Sequence, residues 1–125
     1  MPKIAINIDV DNIERGIEFY CSAFELSVAR RPAPDIVELS GMPSPVFLLK
    51  KALGSVPFPD GTPRSYARHW TPVHLDFLVR DIDTAIARAV AAGASSEGSL
   101  HTYDWGKIAY FADPFGNGFC LLSYG

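Results

Sequence analysis

The chain has 125 residues, enough for one domain with its own core and no need of disulfide or metal staples. A hydrophobic fraction of 48% excludes a disordered chain, and a net charge of −3 lacks the surplus of Lys and Arg that nonspecific nucleic-acid binding requires. No apolar run approaches the roughly 20 residues of a membrane span, and two distant cysteines make neither a disulfide framework nor a zinc cluster. The start lacks the basic-then-apolar pattern of an export signal, so a cytoplasmic protein is expected.

Ile4, Ile6, Ile8 and Val10 alternate with Ala5, Asn7 and Asp9, which predicts a strand covered by helix on one face and open to water or ligand on the other. Asp11 or Asn12 then caps a helix in which Ile13, Ile17, Tyr20 and Phe24 recur at helical spacing, with Glu14 in the first turn where the dipole favours it. A strand from Leu26 to Arg31 is expected to break at Pro32 and Pro34, followed by short strands near Ile36–Leu39 and Pro45–Lys50. The stretch 52–69 holds Gly54, Pro57, Pro59, Asp60-Gly61 and Pro63 and reads as a linker, with Val56 and Phe58 expected to pack against something.

From residue 70 the pattern returns. Val73, Leu75, Phe77 and Val79 alternate with His74, Asp76 and Leu78, and Asp81 caps a helix from Ile82 to Ala92 that Gly93 ends. Strands follow near Ser99–Tyr103, Gly106–Ala112 and Gly118–Ser123, the last two joined by the turn Asp113-Pro114-Phe115-Gly116-Asn117. A shift of 69 positions lays Val10, Ile13 and Ile17 on Val79, Ile82 and Ile86. The fold class is therefore α+β, two tandem β-α-β-β-β modules (1–51 and 70–125) making one domain, and a crease between copies is the place for a ligand. In that register His74 falls on Ala5.

Three segments in this order resemble the vicinal oxygen chelate superfamily, which includes glyoxalase I, extradiol dioxygenases and the fosfomycin- and bleomycin-resistance proteins. They are Val10-Asp11-Asn12-Ile13 through Phe19-Tyr20, Val79-Arg80-Asp81-Ile82 with Ala91-Ala92-Gly93, and Trp105-Gly106 ahead of Asp113-Pro114-Phe115-Gly116-Asn117. The resemblance implies the glyoxalase/bleomycin-resistance fold, with curved sheets around a cleft. It also implies, for metal-dependent members, two ligands per module, at positions that here hold Ala5, about Leu48, His74 and Cys120. Ala5 and Leu48 have no donor atom, and three protein ligands are the usual minimum for a catalytic zinc or iron site. The expectation is a cleft with no metal and no cofactor.

Alternation would place Asn7, Asp9, His74, Asp76 and Cys120 along that cleft. His74 can be a hydrogen-bond donor, a proton acceptor or a polar wall residue, and is the candidate catalytic group; Asp76, two residues on, shares its face. Asp9 and Asp76 would favour a cationic ligand. Tyr103 and Trp105, beside a polar loop, are expected to grip a flat ligand, whereas Trp70 is expected to fill the core between copies. Cys21 reads as an inert helix thiol. Two functions are open: a metal-free small-molecule binder like the bleomycin-resistance proteins, holding a flat or cationic ligand in the cleft of a homodimer, or a glyoxalase- or dioxygenase-like enzyme that uses His74 with an unusual metal set or none.

Overall fold

The computed structural model describes residues 1–125. Strand β1 (Ile6–Val10) leads into helix α1 (Ile13–Phe24), then β2 (Ser27–Ala33), β3 (Ile36–Ser40) and β4 (Val46–Lys50). After the linker come β5 (Leu75–Leu78), α2 (Ile82–Ala92), β6 (Ser95–Ser96), β7 (His101–Tyr103), β8 (Gly106–Ala112) and β9 (Gly118–Tyr124). The first sheet runs β1-β4-β3-β2 and the second β5-β9-β8-β6, with β7 also on β8. In each, the first and last strands of the module pair in parallel (β1 with β4, β5 with β9) and the rest are antiparallel.

Both helices start as their sequences predict. Asn12 is the cap of α1, its side chain accepting from the Arg15 N–H at 3.0 Å. Asp81 accepts from the Thr84 N–H at 3.2 Å and from its hydroxyl at 2.8 Å, and these bonds hold the Asp81 carboxyl below its ordinary range. Gly93 closes α2 at φ +116, where a side chain would be strained.

Three local expectations are corrected. Strand β2 continues through Pro32 to Ala33, because irregular pairing with β3 spares the proline a ladder hydrogen bond. The second strand of the second module is split into β6 and β7, both on β8, and β6 lies where a loop was expected. Val56 and Phe58 are exposed; the linker is held instead by Tyr66, which donates to the Lys51 carbonyl at 2.6 Å and sets its ring edge-on to Phe115.

The core lies between the helices and one face of each sheet. Helix α1 packs on the first sheet and on α2, and its Phe24 stacks on Phe77 of the second sheet at 3.8 Å between ring centres. One helix thus fastens the modules together. A second fastening is Asp113, buried in the β8–β9 turn, which accepts from the N–H groups of Phe115 (2.8 Å) and Asn117 (2.9 Å), the Asn117 side-chain amide (2.9 Å) and the Tyr20 hydroxyl of α1. Burial and the neighbouring Asp113 charge push the Tyr20 phenol well above its ordinary pKa. The outer edges of β1 and β5 carry no ladder partner.

Candidate functional site

A cavity of about 650 Å³ opens between the two modules and is lined by residues 4–9, by Arg64, Ser65, Tyr66, His69 and Thr71 of the chain leading to β5, and by the start of β5. Its volume is in the range of a small-molecule site. Tyr20, Phe77 and Phe119 supply apolar wall; Asn7, Asp9, Arg64 and His74 supply polar groups. Of the seven site residues expected from sequence, Asn7, Asp9 and His74 line this space.

Arg64 was not foreseen. Its Nε donates to Asp9 at 2.7 Å and its Nη1 to the Ser55 hydroxyl at 3.2 Å, so the linker is latched across β1. The Asp9 charge is therefore met within the protein, which removes half of the expected acidic attraction for a cation. No local pattern marks Arg64, since its partner lies 55 residues away.

Asp76 and Cys120 sit beside the cavity, on the open face of the second sheet. They are direct partners across the parallel β5–β9 pair, so their side chains leave the sheet on the same side. His74 precedes Asp76 by two residues on that face, and its Nε2 lies 3.2 Å from Asp76 Oδ1. Cys120 is fully buried beneath them. Its thiol is pushed up to about 12 by burial first, then by the charge of Asp76 and a hydrogen bond to it, so it is no nucleophile at neutral pH.

Trp70 stands against this group, not in the core: its ring centre is 4.5 Å from that of His74, with the Arg68 guanidinium 5.6 Å above the indole. The expectation of a core Trp70 fails because Gly118 leaves a bare strand surface for the indole; a Cβ there would meet Trp70 Cε3 at 2.1 Å. Trp70 as a residue remains 44% exposed. Tyr103 and Trp105 lie outside the cavity. They stack on each other 5.4 Å apart at the β7–β8 end, joined to Trp70 through His101 and Tyr110 in a run of ring contacts. The open face of the second sheet is an aromatic strip with the His74 group at one end.

The four family ligand positions are settled by register. Leu75 pairs with Phe119 as Ile6 pairs with Val46, so the first-module counterpart of Cys120 is Phe47, not Leu48. Leu48 is fully buried on the helix face, where a Cβ on Gly16 would come within 3.2 Å of it. Ala5 and Phe47 offer no donor, and the four-ligand metal centre of the catalytic members does not fit this chain.

The whole pattern is that of the vicinal oxygen chelate superfamily. Residues 5–122 match the model of the glyoxalase-like domain family, and the chain belongs to that family. It is 30% identical over 128 residues to an uncharacterized protein of Mycobacterium bovis, covering 96% of this chain and 82% of that one. Among solved structures it is similar to a glyoxalase-related enzyme from Fulvimarina pelagi (TM-score 0.76, 18% identity, 98% of this chain and 87% of the other). It is also similar to an antibiotic-binding protein from a Streptomyces species (TM-score 0.69, 22% identity, 100% and 97%). These likenesses carry the fold. No helix is long and apolar enough to cross a membrane.

Proposed function

We propose that the protein binds a flat small molecule at the cavity between its modules and along the adjoining aromatic strip, without the family's four-ligand metal centre. The observation that carries this reading is the half-exposed Trp70 indole packed on His74, which itself lines the cavity together with the apolar Tyr20, Phe77 and Phe119. Such a surface gains by being covered and stacked. A structural neighbour with this fold is an antibiotic-binding protein, which supports a binding role for the fold. A positive charge on the ligand gains most at Asp76, since Asp9 is already engaged by Arg64. The working form is a homodimer: β1 and β5 each leave one edge unpaired, and pairing between copies removes that liability.

The test is a screen of planar aromatic compounds against chelator-treated protein, read by tryptophan fluorescence and thermal shift. A compound at a hundredfold excess over its Kd stabilises the fold by about 2.7 kcal/mol. Trp70→Phe is expected to abolish the fluorescence change and Trp105→Phe to leave most of it. A screen with no thermal shift, or a response that depends on Trp105 alone, overturns the cavity reading.

A second reading, a glyoxalase- or dioxygenase-like enzyme, is favoured by one observation: Asp76 Oδ1 lies 3.2 Å from His74 Nε2, and a carboxylate so placed orients an imidazole for general acid–base work. Turnover of a bound ligand that His74→Ala abolishes while binding persists would establish it.

A further inference from the structure

We propose that His74, Asp76 and Cys120 together form a binding site for one thiophilic divalent cation of the zinc type, carried by the second module alone. The sequence expectation of no metal considered one ligand position on each of four strands. The structure adds a donor outside that scheme: Asp76 stands between the two donors that remain.

The three donor atoms lie within 4.8 Å of one another. A tetrahedral ion with bonds of about 2.0–2.3 Å wants donors roughly 3.3–3.8 Å apart, so the widest gap has at most about 1.5 Å to close. His74 Nε2 and Asp76 Oδ1 are already 3.2 Å apart. The spacing is dictated by backbone and not by loop conformation. Asp76 and Cys120 are cross-strand partners in a hydrogen-bonded ladder, and His74 is two residues along the chain from Asp76. Trp70 packs against the imidazole and restrains its ring.

The donor set selects the ion. One thiolate, one imidazole and one carboxylate suit zinc or cobalt, whereas magnesium and calcium require mostly oxygen. Cys120 would reach the ion from the buried side; the His74 and Asp76 side chains are 30% and 41% exposed, so the outer position is open to water or to a ligand atom. As the Sγ–metal bond forms, the thiol proton passes to buffer and no electrons change hands. The site shares His74 with the cavity lining and Asp76 with the proposed ligand anchor, but its three donors come from the protein and it needs no organic ligand to form.

The experiment titrates the reduced, chelator-treated full chain with Co²⁺ alone and follows absorption, then displaces cobalt with Zn²⁺. A sulfur-to-cobalt charge-transfer band and tetrahedral visible bands are expected to saturate at about one equivalent and to vanish on adding zinc. Cys21→Ser should leave the band in place and Cys120→Ser should remove it. Asp76→Asn and His74→Ala should each weaken the metal about tenfold or more. No band, a band that survives Cys120→Ser, or affinity unchanged by Asp76→Asn overturns the proposal. Should Cys120→Ser fail to fold by circular dichroism, Asp76→Asn carries the test, since its side chain lies on the solvent side. Since no organic ligand is present, failure here is distinct from failure of the cavity reading.

Discussion

Removing the Tyr20 hydroxyl should loosen the joint between α1 and the β8–β9 turn. In Tyr20→Phe the ring stays packed between Phe19 and Phe24, while Asp113 loses its one partner outside the turn. A hydrogen bond to a charged acceptor is worth about 1.5–3 kcal/mol net. Asp113 keeps its three bonds within the turn, so no carboxylate oxygen is left bare and the estimate needs no further penalty. For a chain of this size about 1 kcal/mol moves Tm by roughly 3–5 °C, which gives a fall of about 5–15 °C. The loss should also depend on pH. The Tyr20 pKa is raised in the folded state above the roughly 10 of an unfolded tyrosine, so its contribution is full below pH ~10 and disappears as pH rises through the folded value. Urea denaturation followed by circular dichroism, at neutral pH and in steps above pH ~10, reads both effects. A Tyr20→Phe protein within about 0.5 kcal/mol of wild type at neutral pH would refute the reasoning, as would a difference that does not shrink in alkali.

Gly118→Ala places a methyl where the Trp70 ring lies, so the indole must leave the strand; tryptophan emission should shift and planar-ligand affinity fall while the far-ultraviolet spectrum stays unchanged. Cys120 is buried with its thiol pushed up to about 12, so alkylation of the native, metal-free protein at pH ~8 should spare it until denaturant is added; peptide mapping that finds Cys120 modified first contradicts the site as described. Arg64→Ala releases the linker from Asp9; since the Asp9 side chain is 39% exposed, the stability loss should stay near 1 kcal/mol or less by urea melt, while a cationic ligand gains affinity by calorimetry. Light scattering at micromolar concentration should report twice the mass of the 13.6 kDa chain; a monomer rules out the paired form.

Much of the architecture is local and was legible in the residues. Strand alternation, the caps Asn12 and Asp81, the Gly93 stop and the Asp113–Asn117 turn are decided by neighbours a few positions apart, which is why α2 and β8 appear at the expected limits. The empty ligand position at Ala5 was equally plain, because no packing can give a methyl a lone pair. The rest depended on contacts between distant segments. The register of β1 on β4 chose Phe47 over Leu48 for the open face, a one-residue slip that reverses which side chain meets the helix. Gly118, 48 residues beyond Trp70, decided that the indole would lie on a strand surface and not in the core. Arg64 found Asp9, and Tyr20 found Asp113 across 93 residues. Periodicity describes one element and the face it buries. Which donors end within bonding reach, as His74, Asp76 and Cys120 do, is settled only when two strands pair and set their side chains on one face.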